Sequence, residues 1–191
     1  IVVLTIISLA SGGLLAALRD GTQERIDNQV LEYVKGPAVR QVFEGAANDP
    51  IAARFQLKDG STVRNFFVGI FDGEPKGVAL ESSSSKGYKG DIGLVIAIDV
   101  KTEKLMGIGV TTHNETPGLG AKAKTDSKFS GQFKGAVATS PIKVTQDGGS
   151  INAISGATIT SRAVCDAVTD ALSVYERLKP QLAEKMKEIK K

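Results

Sequence analysis

The first 18 residues, IVVLTIISLASGGLLAAL, carry no charge, and this constrains the chain more than any other feature. As a helix rising about 1.5 Å per residue the segment extends roughly 27 Å, close to the hydrocarbon thickness of a bilayer. A membrane segment is the expectation. A cleaved signal peptide and a retained single-span anchor both fit such a stretch. The absence of an A-x-A type site after it favours the anchor. The flank that follows, with Arg19, Asp20, Glu24 and Arg25, is balanced rather than rich in Lys and Arg, which favours the outer side of the membrane for what comes next.

Composition decides what the rest can be. With 41% hydrophobic and 24% charged residues in 191, wholesale disorder and a multi-span protein are both excluded, leaving one water-folded core behind the anchor. One cysteine, Cys165, one histidine, His113, and no tryptophan cannot build a disulfide framework, a cysteine-ligated iron–sulfur cluster or a His/Cys zinc site from this chain alone. Carboxylate-ligated metals stay open, and no metal ligand is assigned. A net charge of +3 from 24 basic and 21 acidic residues, interleaved, with 5% aromatics, gives no basic stripe with stacking platforms, so nucleic acid is not an expected partner.

The expected fold class is α+β: a single N-terminal transmembrane helix, then a small antiparallel-sheet domain packed with helices. Helical patterns at 22–34 and 37–46 meet at a break, Gly36-Pro37. Short β-type runs follow at 63–71, 78–80, 92–100 and 105–110, with a turn at Asp72-Gly73-Glu74-Pro75 and a loop at the four serines 82–85. Over 161–178, Val164, Ala167, Val168, Ala171, Leu172, Tyr175 and Leu178 make one apolar helix face. Pro180 is read as restarting a basic tail that ends as solvated helix. The division is 1–20 anchor, 21–50 helical connector, 51–179 folded domain and 180–191 tail.

Two segments exceed what a plain α+β domain needs: HNETPGLGAK at 113–122, after a strand, and DGGSINAISGATITSRAV at 147–164, running into the last helix. In the second, Ser155, Gly156 and Ala157 are small enough for backbone amides to approach a ligand at a positive helix end, and Arg162 adds a charge suited to phosphate. Thr158, Thr160 and Ser161 add three hydroxyls. The same residues also read as a helix cap with a turn glycine, and from spacing alone that reading is favoured. In the first segment Pro117-Gly118 makes a turn unaided, and His113 with Glu115 reads alternatively as an acid/base pair.

Taken together, ETPGLG after a strand and, some forty residues later, DGG leading to SGATITxRAV at a helix start resemble the FMN-binding domain shared by the G subunit of the Rnf electron-transport complex and the C subunit of the sodium-pumping NADH:quinone oxidoreductase. The similarity is strongest over residues 87–168. Gly87-Tyr88-Lys89-Gly90 and the histidine of HNETPGLG resemble the Rnf side of that pair. The resemblance implies FMN carried covalently on a threonine through a phosphoester, attached by a flavin transferase that reads a motif matched here by Asp147 and Ser155-Gly156-Ala157-Thr158. It implies Thr158 as the attachment residue, with Thr160 and Ser161 as competing hydroxyls. Ser155, Gly156, Ala157, Ile159, Thr160 and Arg162 are implied around the cofactor, and Glu115, Thr116, Leu119 and Gly120 against its ring system. Many relatives have proline where this chain has Ser161, which would supply a cap instead.

The function so implied is a membrane-anchored electron carrier, not catalytic alone, within a complex moving electrons between ferredoxin and NAD and coupling this to ion export. Its partners would be the other membrane and redox subunits, with its domain on the extracytoplasmic side of the cell membrane. Other readings are the related quinone-reductase component, a flavin-free scaffold, and a hydrolase built on His113.

Overall fold

The computed structural model describes residues 1–138 and 142–189. Helix α1 (Val2–Gln29) buries none of its residues, and one turn of π-helix (Val30–Lys35) joins it to α2 (Gly36–Val42). The expected break at Gly36-Pro37 does not occur. Proline lacks the amide for the bond to the carbonyl four residues back and crowds that carbonyl. The widened π turn immediately before Pro37 absorbs both effects, so helix direction carries on through it. The whole of Val2–Val42 is one helix, long and apolar enough to cross a membrane.

Five strands follow, β1 (Arg54–Asp59), β2 (Thr62–Phe71), β3 (Glu74–Gly87), β4 (Gly90–Asp99) and β5 (Lys104–His113), each antiparallel to the next in sequence order. Sequential order is what short connections allow. Between β2 and β3, Asp72 and Gly73 both have positive φ, as a two-residue hairpin turn requires. Two features depart from expectation. Strand β1, unassigned in the sequence, alternates Phe55 and Leu57 toward the core between polar neighbours, Arg54, Gln56 and Lys58. The four serines are not a loop but the second half of β3, where Ser82, Ser83 and Ser84 pair with Leu94, Gly93 and Ile92. Their weak strand propensity is overridden by the partner strand, and the Ser82 hydroxyl is satisfied by Asp170 at 3.0 Å.

Both faces of the sheet are covered. One carries Phe66, Leu80, Leu94, Ile96 and Ile98 against α5 (below); the other carries Phe67, Ala79, Val95 and Ala97 against Val39, Val42 and Phe43 at the end of the long helix. Double coverage explains why 94–98 reads as an unbroken apolar run rather than an alternation.

After β5 come two short helices, α3 (Lys122–Thr125) and α4 (Ser127–Gly131), a 3₁₀ turn (Thr145–Asp147), and α5 (Thr158–Ile189). The apolar face read from the sequence is the buried one: Val164, Ala167, Val168, Ala171, Leu172, Tyr175 and Leu178 all lie in the main core. Helix α5 starts three residues earlier than expected and runs on through Pro180. The stretch after that proline is not simply a solvated end, because Leu182 and Met186 are buried, beside Val100 and Tyr175.

Candidate functional site

The loop 114–121 leaves the end of β5, and the loop 148–157 leads into α5; the two meet above the first turn of that helix. Gly156 has φ of +75°, a conformation that a side chain strains, and so reverses the chain just ahead of α5. At Gly120 the constraint is space. A Cβ there would lie 2.5 Å from Glu115 Oε2 and 2.7 Å from Thr160 Oγ1, so only a bare backbone lets the two loops close.

Beneath this junction Glu115 is 5% exposed, an unusual position for a carboxylate. Its Oε2 accepts a hydrogen bond from the Thr160 hydroxyl, and its Oε1 accepts the Lys89 backbone N–H at 3.0 Å. The single side chain therefore ties the β3–β4 turn, the loop after β5 and the first turn of α5 together. The His113 side chain does not pair with the Glu115 carboxylate. Its Nδ1 accepts the Glu115 backbone N–H at 3.2 Å, which closes a turn and leaves no acid/base pair.

A cavity of about 560 Å³ opens over this junction, lined by Tyr88, Glu115, Thr116, Leu119, Gly120, Gly156, Ala157, Thr158, Ile159 and Thr160. The size lies in the range of cofactor pockets, which run roughly 300–1,000 Å³. Apolar Leu119, Ile159, Ala157 and the Tyr88 ring suit a flat ring system. The Glu115 and Thr116 edge supplies polar contacts, and the N-terminus of the 32-residue helix α5 favours an anion. The residues present thus fit a flavin mononucleotide.

Of the residues implied around the cofactor, all but Ser155 and Arg162 line this cavity; His113, Asp147 and Ser161, singled out for other roles, do not. Ser155 opens instead onto a neighbouring cleft with Lys122, Phe129 and Gln132. Arg162 lines a smaller cleft of about 190 Å³ on the far side of Ile159, where its guanidinium is already engaged. Its Nε and Nη2 donate to Asp147 Oδ2 and Oδ1 at 2.7 and 2.8 Å, a bidentate pair. The pairing holds the Asp147 carboxyl below its ordinary range and raises the Arg162 guanidinium, in each case chiefly through the hydrogen bonds. Cys165 in the same cleft is buried, and desolvation pushes its thiol up to about 12, which keeps it protonated and inert. Tyr88 lines the main cavity but was not singled out as a contact; its signal was the GYKG turn at which the resemblance begins.

The three hydroxyls differ sharply. Thr160, 1% exposed, spends its proton on Glu115. Ser161, wholly buried, accepts the Ile154 N–H at 2.9 Å and donates to the Ala157 carbonyl at 3.0 Å, so it braces the loop from inside the first turn rather than capping the helix. Thr158 is half-buried, faces the cavity, and its hydroxyl has no hydrogen-bond partner among the described residues.

An FMN-binding domain matches residues 87–173. The G subunit of an ion-translocating oxidoreductase complex from Methanosarcina acetivorans is 33% identical over 174 residues, covering 90% of each chain. The protein of the same name from Pseudomonas aeruginosa is 30% identical over 191 residues, covering 94% of this chain and 88% of the relative. Among solved structures, the C subunit of a Na(+)-translocating NADH-quinone reductase from Parabacteroides distasonis aligns with a TM-score of 0.50 and 29% identity over 59% of this chain and 61% of that one. NqrC of Shewanella oneidensis aligns with a TM-score of 0.53 and 24% identity over 73% and 72%, a likeness of fold.

Proposed function

The chain belongs to the family formed by the G subunits of ion-translocating oxidoreductase complexes, and we propose that it works there as a membrane-anchored electron carrier whose FMN is held covalently on Thr158. The observation that carries the attachment site is the contrast among hydroxyls. A group transferred to a threonine must reach an oxygen that is accessible and not already donating. Thr158 meets both conditions, whereas Thr160 and Ser161 are buried and engaged. Bound there, FMN supplies the one- and two-electron chemistry that no side chain of this protein offers.

The protein's own part is to tether, shield and orient. A phosphoester on Thr158 would leave its negative charge at the start of α5, where free amides and the helix dipole favour it. Leu119, Ala157 and Ile159 would exclude water from one side of the ring, and Glu115 would fix the wall around it. The tether has a physical rationale: a cofactor lost from a domain outside the cytoplasm is not replaced, and covalent attachment keeps it at high local concentration near its electron partners.

In this reading residues 1–20 anchor the chain, 21–50 connect and pack Val39, Val42 and Phe43 onto the sheet, and 51–179 form the flavin domain on the extracytoplasmic side, to which the continuation of α5 past Pro180 adds Leu182 and Met186. A dedicated flavin transferase acts during maturation, reading Asp147 and the SGAT segment. The partners in operation are the other membrane and redox subunits of a complex that couples electron flow between ferredoxin and NAD to ion export. The described residues offer one candidate span, which cannot form an ion path alone, so coupling resides in those subunits.

The deciding experiment is the mass of the peptide containing Thr158, taken from protein made in a host with the transferase. An FMN phosphoester on that peptide, absent from a folded Thr158→Ala chain, is the expected result. Covalent flavin retained by Thr158→Ala would move the site to Thr160 or Ser161. A colourless native chain would favour the flavin-free scaffold.

A further inference from the structure

Strands β2 and β3 separate at one end, and the fork between them stays open. Their pairing begins at Phe66 and Leu80 and runs toward the hairpin turn. Short of Phe66, β2 pairs only with β1; beyond Leu80, β3 pairs only with β4. In antiparallel strands successive residues turn their backbone N–H and C=O to alternate sides. Which side is fixed by the Val100 amide, which donates to the Lys76 carbonyl at 2.9 Å in register with the β3–β4 pair. Even-numbered residues of β3 therefore bond to β4 as far as Ser84, and odd-numbered ones face β2. Ala79 meets Phe67 in that way. The next two, Glu81 and Ser83, face the fork with no strand opposite them.

The fork is a cleft of about 430 Å³, lined among others by Arg64, Glu81, Ser82, Ser83, Gly93 and Thr112. Two of these side chains carry a buried polar atom with no hydrogen bond among the described residues. Arg64 Nε lies 3.4 Å from Asp59 Oδ2 without bonding to it, and Glu81 Oε1 is unmet although its other carboxylate oxygen accepts Lys35 Nζ at 2.9 Å. Buried polar atoms are seldom left so. A strand edge whose donors and acceptors recur at every second residue is matched by one chemistry, an extended polypeptide backbone. The open run is short and ends at Lys86 and a bulge before Gly87, features that discourage indiscriminate edge pairing.

We infer that this fork takes up an extended segment of another subunit, which adds a strand to β3 through the backbone of Glu81 and Ser83. The inference rests on the proposed place of the chain in a multi-subunit complex and is independent of the flavin. It also gives the serine run a use, since small polar side chains leave room for an incoming strand.

The test compares the full chain alone in detergent with the same chain purified from membranes together with the subunits that accompany it. Amide exchange is read residue by residue. In the chain alone, Glu81 and Ser83 should exchange fast while Ser82 and Ser84, bonded to β4, exchange slowly. In the complex Glu81 and Ser83 are expected to slow several-fold, with their even-numbered neighbours unchanged. Ser83→Pro removes one outward N–H and spares the bonds to β4, at the kind of edge where proline is tolerated. It should keep the native melting transition and flavin load yet lose most of the accompanying subunits.

Glu81 and Ser83 amides as fast in the complex as in the chain alone overturn the inference, as does a folded Ser83→Pro chain that retains its subunits. Protection that is already present in the chain alone and grows with its concentration overturns it in favour of pairing between two copies. Should Ser83→Pro fail to fold, the exchange comparison on the native chain decides. A native chain that carries flavin but emerges with no other subunit overturns the complex reading and this inference with it.

Discussion

Two long helices frame the molecule, and they bury their apolar residues in opposite ways. Helix α1 spans 28 residues and buries none, while α5 spans 32 and buries 14. In α1 the apolar residues surround the axis, and nothing in the domain packs against them. In α5 they recur at helical spacing on one side and cover the sheet. The difference teaches that apolar content alone does not identify a core element. Its angular distribution does, because a one-sided helix has a single surface to bury and an all-round one requires an apolar medium.

The sharpest way to break that comparison is to put one charge into each helix. Val168 of α5 is fully buried, and a carboxylate there would lose its hydration with no partner, costing several kcal/mol against a total stability of about 5–15 kcal/mol. Val168→Asp is therefore expected to abolish the cooperative unfolding transition seen by circular dichroism. Leu9→Asp in α1, at a residue 71% exposed, should leave the domain's melting unchanged and instead reduce recovery in the membrane fraction, since a charge at a span centre costs about 2.5–3.5 kcal/mol of insertion. Equal loss of domain stability in both variants would sink the contrast.

A milder probe asks how tightly α5 is packed. Leu172→Ala leaves a cavity in the main core and should lower stability by about 2–5 kcal/mol in urea, with an unchanged m-value. The central turns of α5 were legible because local spacing is enough to define one face. The helix beyond Pro180 was not. A mid-helix proline costs about 3 kcal/mol locally, and what offsets it is the burial of Leu182 and Met186, contacts distant in sequence. The serines of β3 illustrate the same limit, since their strand state is supplied by β4 and the Ser82 hydroxyl is answered from Asp170. At the candidate site, small residues and hydroxyls marked both loops, and the resemblance supplied Glu115. The contact of Glu115 with Thr160, 45 residues away, and the diversion of Arg162 to Asp147 required the fold.

That buried contact gives the next prediction. Thr160→Val keeps the side-chain shape and removes the donor to Glu115, leaving a buried carboxylate oxygen short of a hydrogen bond at a cost of about 1.5–3 kcal/mol. Because Glu115 also holds the Lys89 amide, the loss should loosen the β3–β4 turn, read as faster amide exchange at Lys89 with the centre of α5 still protected. Protection lost uniformly would mean that the junction is not a separate unit from the α5 core.

The smallest effect belongs to the exposed end of the same helix, where Arg162 meets Asp147. The Asp147 carboxyl is held below its ordinary value, chiefly by hydrogen bonds from Arg162, so the folded state releases that proton more readily than the unfolded chain does. Stability from this group is present above the unfolded carboxylate value and is lost as pH falls through the lower folded one. Both side chains are largely in water, so the gain is minor and screened by salt. Asp147→Asn should flatten the acid limb of a stability-versus-pH curve slightly and leave stability near neutral pH almost unchanged. A steep loss at neutral pH would show that this pair organises the loop ahead of Thr158, and so contributes to the site as well as to the surface.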